Sequence, residues 1–317
     1  MRIFVAGATG AVGKQLVPRL VEGGHDVVGT TRSDAKADEL RAAGAEAAVV
    51  DVLDADAVRS AVARAQPDVL IHQATALSAM GTNMRRFDAD FALTNRLRTE
   101  GTDHLLAAAR DAGVRRFVTQ SFTGWPNARV GGPIKTEEDP LDPDPPKACR
   151  ETIAAIRYIE ATVSAAEGIE GIVLRYGGFY GPGTSLWPGG VHAETVRKRR
   201  FPIIGRGTGI WSFVHIDDVA AATLAAVERG APGLYNVVDD EPAPISEWLP
   251  YLAQTLEAKP PRHVPVWLGR LLGGDLAVAV MNESRGSSNA KAKRELDWQP
   301  KYPTWRQGFT EMAAVRG

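Results

Sequence analysis

Three glycines spaced three apart, Gly7, Gly10 and Gly13, stand between the β-branched and aromatic run Ile3-Phe4-Val5-Ala6 and a stretch of helical composition that begins at Ala11. The chain must therefore pass from strand to helix through a very tight turn. Glycine in the first position permits that turn, in the second it lets a ligand approach the backbone, and in the third it lets helix and strand lie close. A helix that starts directly behind such a turn presents free N–H groups and the positive end of its dipole. The spacing thus predicts a phosphate-binding turn in which Gly7, Thr9, Gly10, Ala11, Val12 and Gly13 contact a pyrophosphate.

The following residues supply the context this turn needs. From Arg2 to about Arg175, short β-branched runs alternate with longer Ala/Leu/Arg stretches, the pattern of βαβ units around a parallel sheet. Strands are expected at Ile3–Ala6, Val27–Thr30, Ala48–Val50, Val69–Ile71, Phe117–Thr119 and Gly171–Leu174, buried on both faces, with helices following Gly10, Ser33, Asp54, Arg85 and Lys147. This is an α/β chain with a Rossmann-type doubly wound parallel sheet, and ligands should gather outside the C-terminal strand ends. Between Gly124 and Lys147 the prolines exclude regular helix and indicate a long surface excursion. Beyond Tyr176 the chain turns Gly/Pro-rich, then resumes with Ser212–Ile216, a helix from Asp217 and a strand at Leu234–Val238. We therefore expect a dinucleotide-binding domain over 1–176 and a smaller substrate lobe over 177–317, interleaved with the first around 212–240.

Charge and cysteine content narrow the function classes. The 37 basic and 38 acidic side chains leave a formal charge of -1, so no global field recruits nucleic acid or anionic membrane. A single cysteine, Cys149, forms neither an internal disulfide nor a thiolate zinc cluster, and no leader pattern precedes the first strand; together these favour a cytoplasmic protein. His192 and His215 have no carboxylates at metal-ligand spacing, so no metal is expected. The apolar stretch Val264 to Met281 is broken by Arg270, Asp275 and two glycines and is expected to form core helices rather than a membrane span.

At the end of the second strand, where an acidic residue would hold the ribose hydroxyls of NAD, the sequence is Thr30-Thr31-Arg32-Ser33. Without a carboxylate to repel it, a 2′-phosphate would pair with Arg32, helped by Thr31, Ser33 or Lys36, which favours NADP(H) as cofactor. Asp51 and Val52 would border the adenine, although Asp51 is equally placed to cap the next helix.

Further motifs carry a resemblance. They are Val69-Leu70-Ile71-His72-Gln73-Ala74-Thr75, Gly101-Thr102-Asp103-His104-Leu105-Leu106 in a long fourth helix, Arg116-Phe117-Val118-Thr119-Gln120-Ser121, Leu174-Arg175-Tyr176-Gly177-Gly178-Phe179-Tyr180-Gly181-Pro182-Gly183, and Ser212-Phe213-Val214-His215-Ile216-Asp217-Asp218-Val219. Over nearly its whole length the chain resembles the extended short-chain dehydrogenase/reductase superfamily, with its NAD(P)-dependent epimerases, dehydratases and reductases. The resemblance implies a Rossmann domain, a C-terminal substrate lobe, a possible homodimer, and a nicotinamide near the loops after strands four to six. It assigns Ala74, Thr75, Tyr176 and Gly178 to cofactor contacts.

The departures from that pattern bear on chemistry. The superfamily uses Ser or Thr after strand five with a Tyr-x-x-x-Lys helix; Ser121 fits the first role, but alignment on Glu160 places Thr152 at the tyrosine and Ile156 at the lysine. Neither offers acidity or charge. Tyr158 lies about 240° further round the helix and points elsewhere. Arg98 replaces an asparagine and either orients ribose, polarises a carbonyl or sits in a salt bridge. Ser121 and Thr123 are the hydroxyls placed to hold a substrate oxygen, Tyr180 is a candidate proton donor, and Cys149 is a small hydrophobe near the cleft. Trp125, Trp187 and Trp211 fall in segments expected around a partly apolar ligand. The expected function is an atypical NADP-dependent oxidoreductase moving hydride between nicotinamide and a carbonyl or alcohol of a small molecule. The alternatives are a sugar-nucleotide epimerase or dehydratase and a catalytically silent NADP-binding regulator.

Overall fold

In the computed structural model, which describes residues 1–77, 81 and 83–314, the parallel strands are β1 (Arg2–Ala6), β2 (Asp26–Thr31), β3 (Glu46–Val49), β4 (Val69–His72), β5 (Arg116–Phe122), β6 (Glu170–Tyr176) and β7 (Gly233–Val237). They form one sheet in the order β3-β2-β1-β4-β5-β6-β7. The order reverses between β1 and β4, which fixes the crevice above their C-terminal ends as the ligand site of this topology. Six strands follow the expected alternation. The seventh, in the segment 212–240 expected to interleave with the first domain, joins the sheet beside β6.

Helices α1 (Ala11–Glu22), α2 (Asp34–Ala42), α3 (Ala55–Ala65), α4 (Phe87–Arg98), α5 (Glu100–Asp111) and α6 (Arg150–Ser164) connect the strands. They are followed by α7 (Val191–Arg197), α8 (Ile216–Glu228), α9 (Ile245–Thr255), α10 (Val266–Asn282), α11 (Ala290–Glu295) and α12 (Trp305–Ala314). Leu16 and Val17 of α1 pack with Val219 and Ala222 of α8 on one sheet face; Val62, Leu105 and Ile159 cover the other. A third core gathers Tyr180, Trp248, Trp305 and Phe309 away from the sheet.

Three expectations are corrected here. The strand β3 is not buried on both faces: Glu46 and Val49 are exposed, because β3 is the sheet edge. The long fourth helix is two helices, α4 and α5, broken at Thr99, whose hydroxyl donates to the carbonyl of Asn95 and competes with the helical ladder. The stretch 264–281 is core only in its second half. Gly274, with φ 80°, breaks α10; beyond it Leu276 to Met281 are buried, whereas before it Trp267, Leu271 and Leu272 are 64–67% exposed. The carbonyls of Arg270, Leu271 and Leu272, orphaned by the break, accept from the Arg85 guanidinium.

The excursion 124–147 has no α-helix, as its prolines require, and it is tied to the late chain. Its strand Ile134–Lys135 pairs in parallel with Gly286–Ser287, and Arg129 bridges Asp142 and Glu283 at 2.7 Å each. Among the described residues no helix is long and apolar enough to cross a membrane.

Candidate active site

The turn between β1 and α1 has the geometry its glycines imply. Gly7 adopts φ +87°, and a Cβ there would lie 2.6 Å from the backbone nitrogen of Ala74, so only glycine fits between β1 and the loop after β4. Gly10 caps α1 without a side-chain hydrogen bond, and the first turn of the helix carries no acidic residue. The N–H groups of Ala11, Val12 and Gly13 have no hydrogen-bond partner among the described residues. A Cβ on Gly13 would collide with the carbonyl of Ala8. These orphan donors at a helix N-terminus, in a cradle that a side chain would fill, fit a dinucleotide pyrophosphate.

Beside the turn, Thr9, Thr31, Arg32, Ser33 and Lys36 line an open recess of about 310 Å³. Arg32 and Lys36 are exposed, and neither has an ion-pair partner among the described residues. Ser33 caps α2 without a side-chain bond of its own, leaving its hydroxyl and the helix N-terminus open. No carboxylate lines this recess. Asp51, at the end of β3, accepts from Leu53 N at 3.0 Å, while the cap of α3 is Asp54, which accepts from Ala57 N; the capping alternative for Asp51 is thereby settled against. Val52 lies buried against Gly101.

The floor of the crevice is set by His72, fully buried at the end of β4. Its Nε2 faces the carbonyl of Leu97 at 3.0 Å and its Nδ1 accepts from Ala74 N, so the neutral Nε2–H tautomer satisfies both. Burial lowers its pKa to about 4, with the Leu97 carbonyl opposing and Arg98 adding to the shift. This side chain positions Ala74, which is buried, and Thr75, which is exposed. Tyr176 is a correction. Its hydroxyl is held between Gln73 Nε2 and Thr223 Oγ1, both at 2.8 Å, and burial pushes its pKa up to about 12. The ring supports the floor from the core beneath α8, 1% exposed, with its hydroxyl already engaged by Gln73 and Thr223 rather than offered to a ligand. Gly178 remains at the rim, paired with Phe213.

The α6 face carrying Thr152 and Ile156, the positions that alignment on Glu160 matches to the tyrosine and lysine, is closed. Asp88 of α4 accepts from Thr152 N at 2.9 Å, Thr152 Oγ1 at 2.7 Å and Glu151 N at 3.1 Å, and Asn95 donates to Thr152 Oγ1. Thr152 and Ile156 are both fully buried in the α4–α6 packing. One turn on, Glu160 receives a bidentate pair from Arg175 at 2.7 and 2.8 Å together with the Ser121 hydroxyl at 2.7 Å. Ser121 is therefore also corrected: its donor is engaged inside this buried network, not offered to a substrate. Arg98 is 1% exposed, its guanidinium stands over Phe91 at 5.9 Å, and Nε and Nη1 have no partner among the described residues. Burial lowers its pKa to about 10 against the pull of Glu160, so it stays a cation at neutral pH.

Thr123 is placed otherwise. Its hydroxyl meets Ser287 Oγ at 2.7 Å and Asn127 at 3.4 Å, and Asn127 also donates to Ser287. Nothing in the spacing of Ser287, 164 residues away, signals this contact; only the Ile134–Lys135 pairing with Gly286–Ser287 brings it there. Asp88 and Asn95 were equally silent in sequence, since each acts across a helix interface.

Tyr180 is the third corrected site residue. It is fully buried among Phe213, His215 and Phe309, turns its hydroxyl toward the Thr304 carbonyl, and is pushed far above the ordinary phenol pKa by burial. It is part of the third core and no proton donor. Tyr158 points outward onto Asp103, as expected. Cys149 is buried, with its thiol pushed up to about 12 by burial. Trp187 packs against the third core. His215 caps α8 through Nδ1, and among the described residues no group of three His, Cys, Asp or Glu could hold a metal ion. Trp125 and Trp211, with Phe87, surround a small apolar cluster of Cys149, Ile153, Leu276 and Val280 at the start of α6.

The family model described as NAD dependent epimerase/dehydratase matches residues 3–237. A 3-diazoavenalumate denitrifying reductase from Streptomyces sp is 42% identical over 312 residues, covering 98% of this chain and 99% of the relative. A 2-alkyl-3-oxoalkanoate reductase from Stenotrophomonas maltophilia is 30% identical over 260 residues, covering 78% and 73%. Among solved structures, the UDP-glucose 4-epimerase of Thermus thermophilus in complex with NAD superposes with TM-score 0.74 at 25% identity, covering 100% of this chain and 99% of that one.

Proposed function

The chain belongs to the NAD-dependent epimerase/dehydratase family, and we propose that within it this protein is an NADP-dependent reductase delivering hydride to a small organic acceptor without a protein-held tyrosine acid. The observation that carries the cofactor half of this reading is the recess of Thr9, Thr31, Arg32, Ser33 and Lys36, two cations and three hydroxyls with no carboxylate. The open N-terminus of α1 holds the pyrophosphate, His72 fixes the loop carrying Ala74 and Thr75, and the acceptor side lies between the segment 87–125 and residues 177–317.

The closed α4–α6 face bears on the acceptor. The reduced dinucleotide supplies a hydride, which an R–N₂⁺ acceptor takes as R–H with loss of N₂ and no proton, whereas a carbonyl becomes an alkoxide that needs one. Thr152, Ile156 and Tyr180 supply no such proton, and Ser121 gives its own to Glu160. A diazo-type acceptor accordingly fits best, and the 42% identical relative is named for a diazo substrate. Reduction of a carbonyl is the second reading, favoured by the relative named for a 3-oxoalkanoate, with solvent supplying the proton.

Calorimetry with NADPH and NADH on the wild type and Arg32→Ala tests the cofactor, with NADPH selectivity expected in the first and lost in the second. The same samples are then assayed for NADPH oxidation with an aryl diazonium salt and with a ketone panel, against heat-inactivated protein. Enzyme-dependent N₂ release supports the first reading and ketone turnover the second. Selective binding without turnover on either points to the silent NADP-binding protein, and preference for NADH overturns the cofactor assignment.

A further inference from the structure

The acceptor side has a composition of its own. Phe87 stacks on Phe91 at 4.3 Å and meets Trp125 edge-on at 5.0 Å and 74°, and Phe122 tilts against Trp125 at 5.9 Å. Across the same apolar cluster stands Trp211, braced on Trp248 at 4.8 Å. Phe87, Phe122, Trp125 and Trp211 are each only partly buried, so ring surface is left for a ligand where α6 begins. The Trp211 indole N–H is buried with no hydrogen-bond partner among the described residues. An orphan donor of this kind is costly unless a ligand oxygen satisfies it.

The charges nearby are already committed. Arg129 is paired with Asp142 and Glu283, and Arg150 with Asp144, so neither is offered to a diphosphate. Flat π-surfaces favour another ring, and the Trp211 N–H favours one oxygen on it; the Trp248 N–H behind it is orphaned too, but that ring is fully buried and offers no surface to a ligand.

We propose that this wall is a specificity site for a planar aromatic acceptor carrying a ring oxygen, the ring held against Phe87 and Trp125 and the oxygen taken by the Trp211 N–H. The inference rests on reading this wall as the acceptor side of the reductase proposed above.

The test uses the full chain loaded with NADP⁺, so that no turnover enters. Calorimetry compares 2-naphthol, naphthalene, the saturated decahydro-2-naphthol and UDP-glucose. The expected result is that 2-naphthol binds about tenfold tighter than its saturated counterpart, a preference lost in Trp125→Ala and in the milder Trp125→Leu should the first variant fold poorly. Trp211→Phe should bind naphthalene as before while losing an about fivefold preference for 2-naphthol over it. Equal binding of the saturated alcohol, tighter binding of UDP-glucose, no saturable aromatic binding, or an unchanged preference in Trp211→Phe overturns the site. Aromatic binding without NADPH turnover of any acceptor would sink the reductase reading alone; turnover of an aliphatic ketone with no aromatic binding would sink this inference alone.

Discussion

The N-termini of two helices, α1 and α6, are treated in opposite ways. At α1 the cap is Gly10, the first turn has no acid, and three backbone N–H groups are left open. At α6 the equivalent groups of Glu151 and Thr152 are stoppered by Asp88, reaching across from α4. Both ends carry the partial positive charge of a helix terminus. One is left uncapped by any side chain, as the proposed pyrophosphate site requires; the other is capped by a carboxylate of the chain itself. The contrast teaches that the end proposed for the cofactor is built from backbone and space, while the α4–α6 face is a saturated side-chain interface.

The sharpest way to break that contrast is to attack the interface. Glu160 accepts from Arg175 and Ser121 and is the carboxylate that opposes the burial of Arg98. Glu160→Gln leaves buried guanidinium charge uncompensated and should lower stability by about 3–5 kcal/mol, read as a fall in the urea midpoint. A loss under about 1 kcal/mol would mean that the face is open to water and not closed.

Next in size is the pH response of the floor between the two regions. His72 has its pKa lowered from 6.5 to about 4 by burial, so the unfolded chain binds the extra proton first as the pH falls. Its contribution is fully present above pH 6.5 and is lost progressively down to about 4, amounting to about 3 kcal/mol from the pKa difference. Urea titrations of the wild type and His72→Gln should diverge in that window, the variant being less stable at pH 7 but losing less on acidification. Parallel curves would show that His72 does not stay neutral.

The third effect lies on the open side. Arg32→Ala should weaken NADPH about 10- to 100-fold, the worth of charge-assisted bonds to a phosphate, and leave NADH and stability unchanged. Equal weakening of both cofactors would place Arg32 on the adenine alone.

These effects also mark what the sequence could disclose. Gly7, Gly10 and Gly13 were legible as a tight strand-to-helix turn because local backbone requirements act over a few residues and leave a fixed spacing. The six alternating strands were legible for the same reason. Tyr180 and Ser121 were misplaced because a side chain's surroundings come from distant segments: α12 covers the first, and α6 with β6 takes the proton of the second. Ser287 and Asp88 carry no spacing signal, and α10 has two environments, divided at Gly274, with Arg85 holding the carbonyls of Arg270, Leu271 and Leu272 before it.

The smallest effect is the most diagnostic, because it opens the stopper itself. In Asp88→Asn the amide oxygen can still accept from Thr152, which uses Oδ1, but the bond from Glu151 N to Oδ2 and the favourable charge at the helix end are lost. Stability should fall by about 1 kcal/mol, the usual value of a helix cap with its dipole term. The turn proposed for the pyrophosphate opens α1, and among the described residues the Asp88 hydrogen bonds reach only Glu151 and Thr152, so NADPH affinity should hold within about twofold by calorimetry. Were affinity to move by more than about fivefold, the two helix ends would be energetically coupled, and the catalytic face would have to be counted as part of the cofactor site after all.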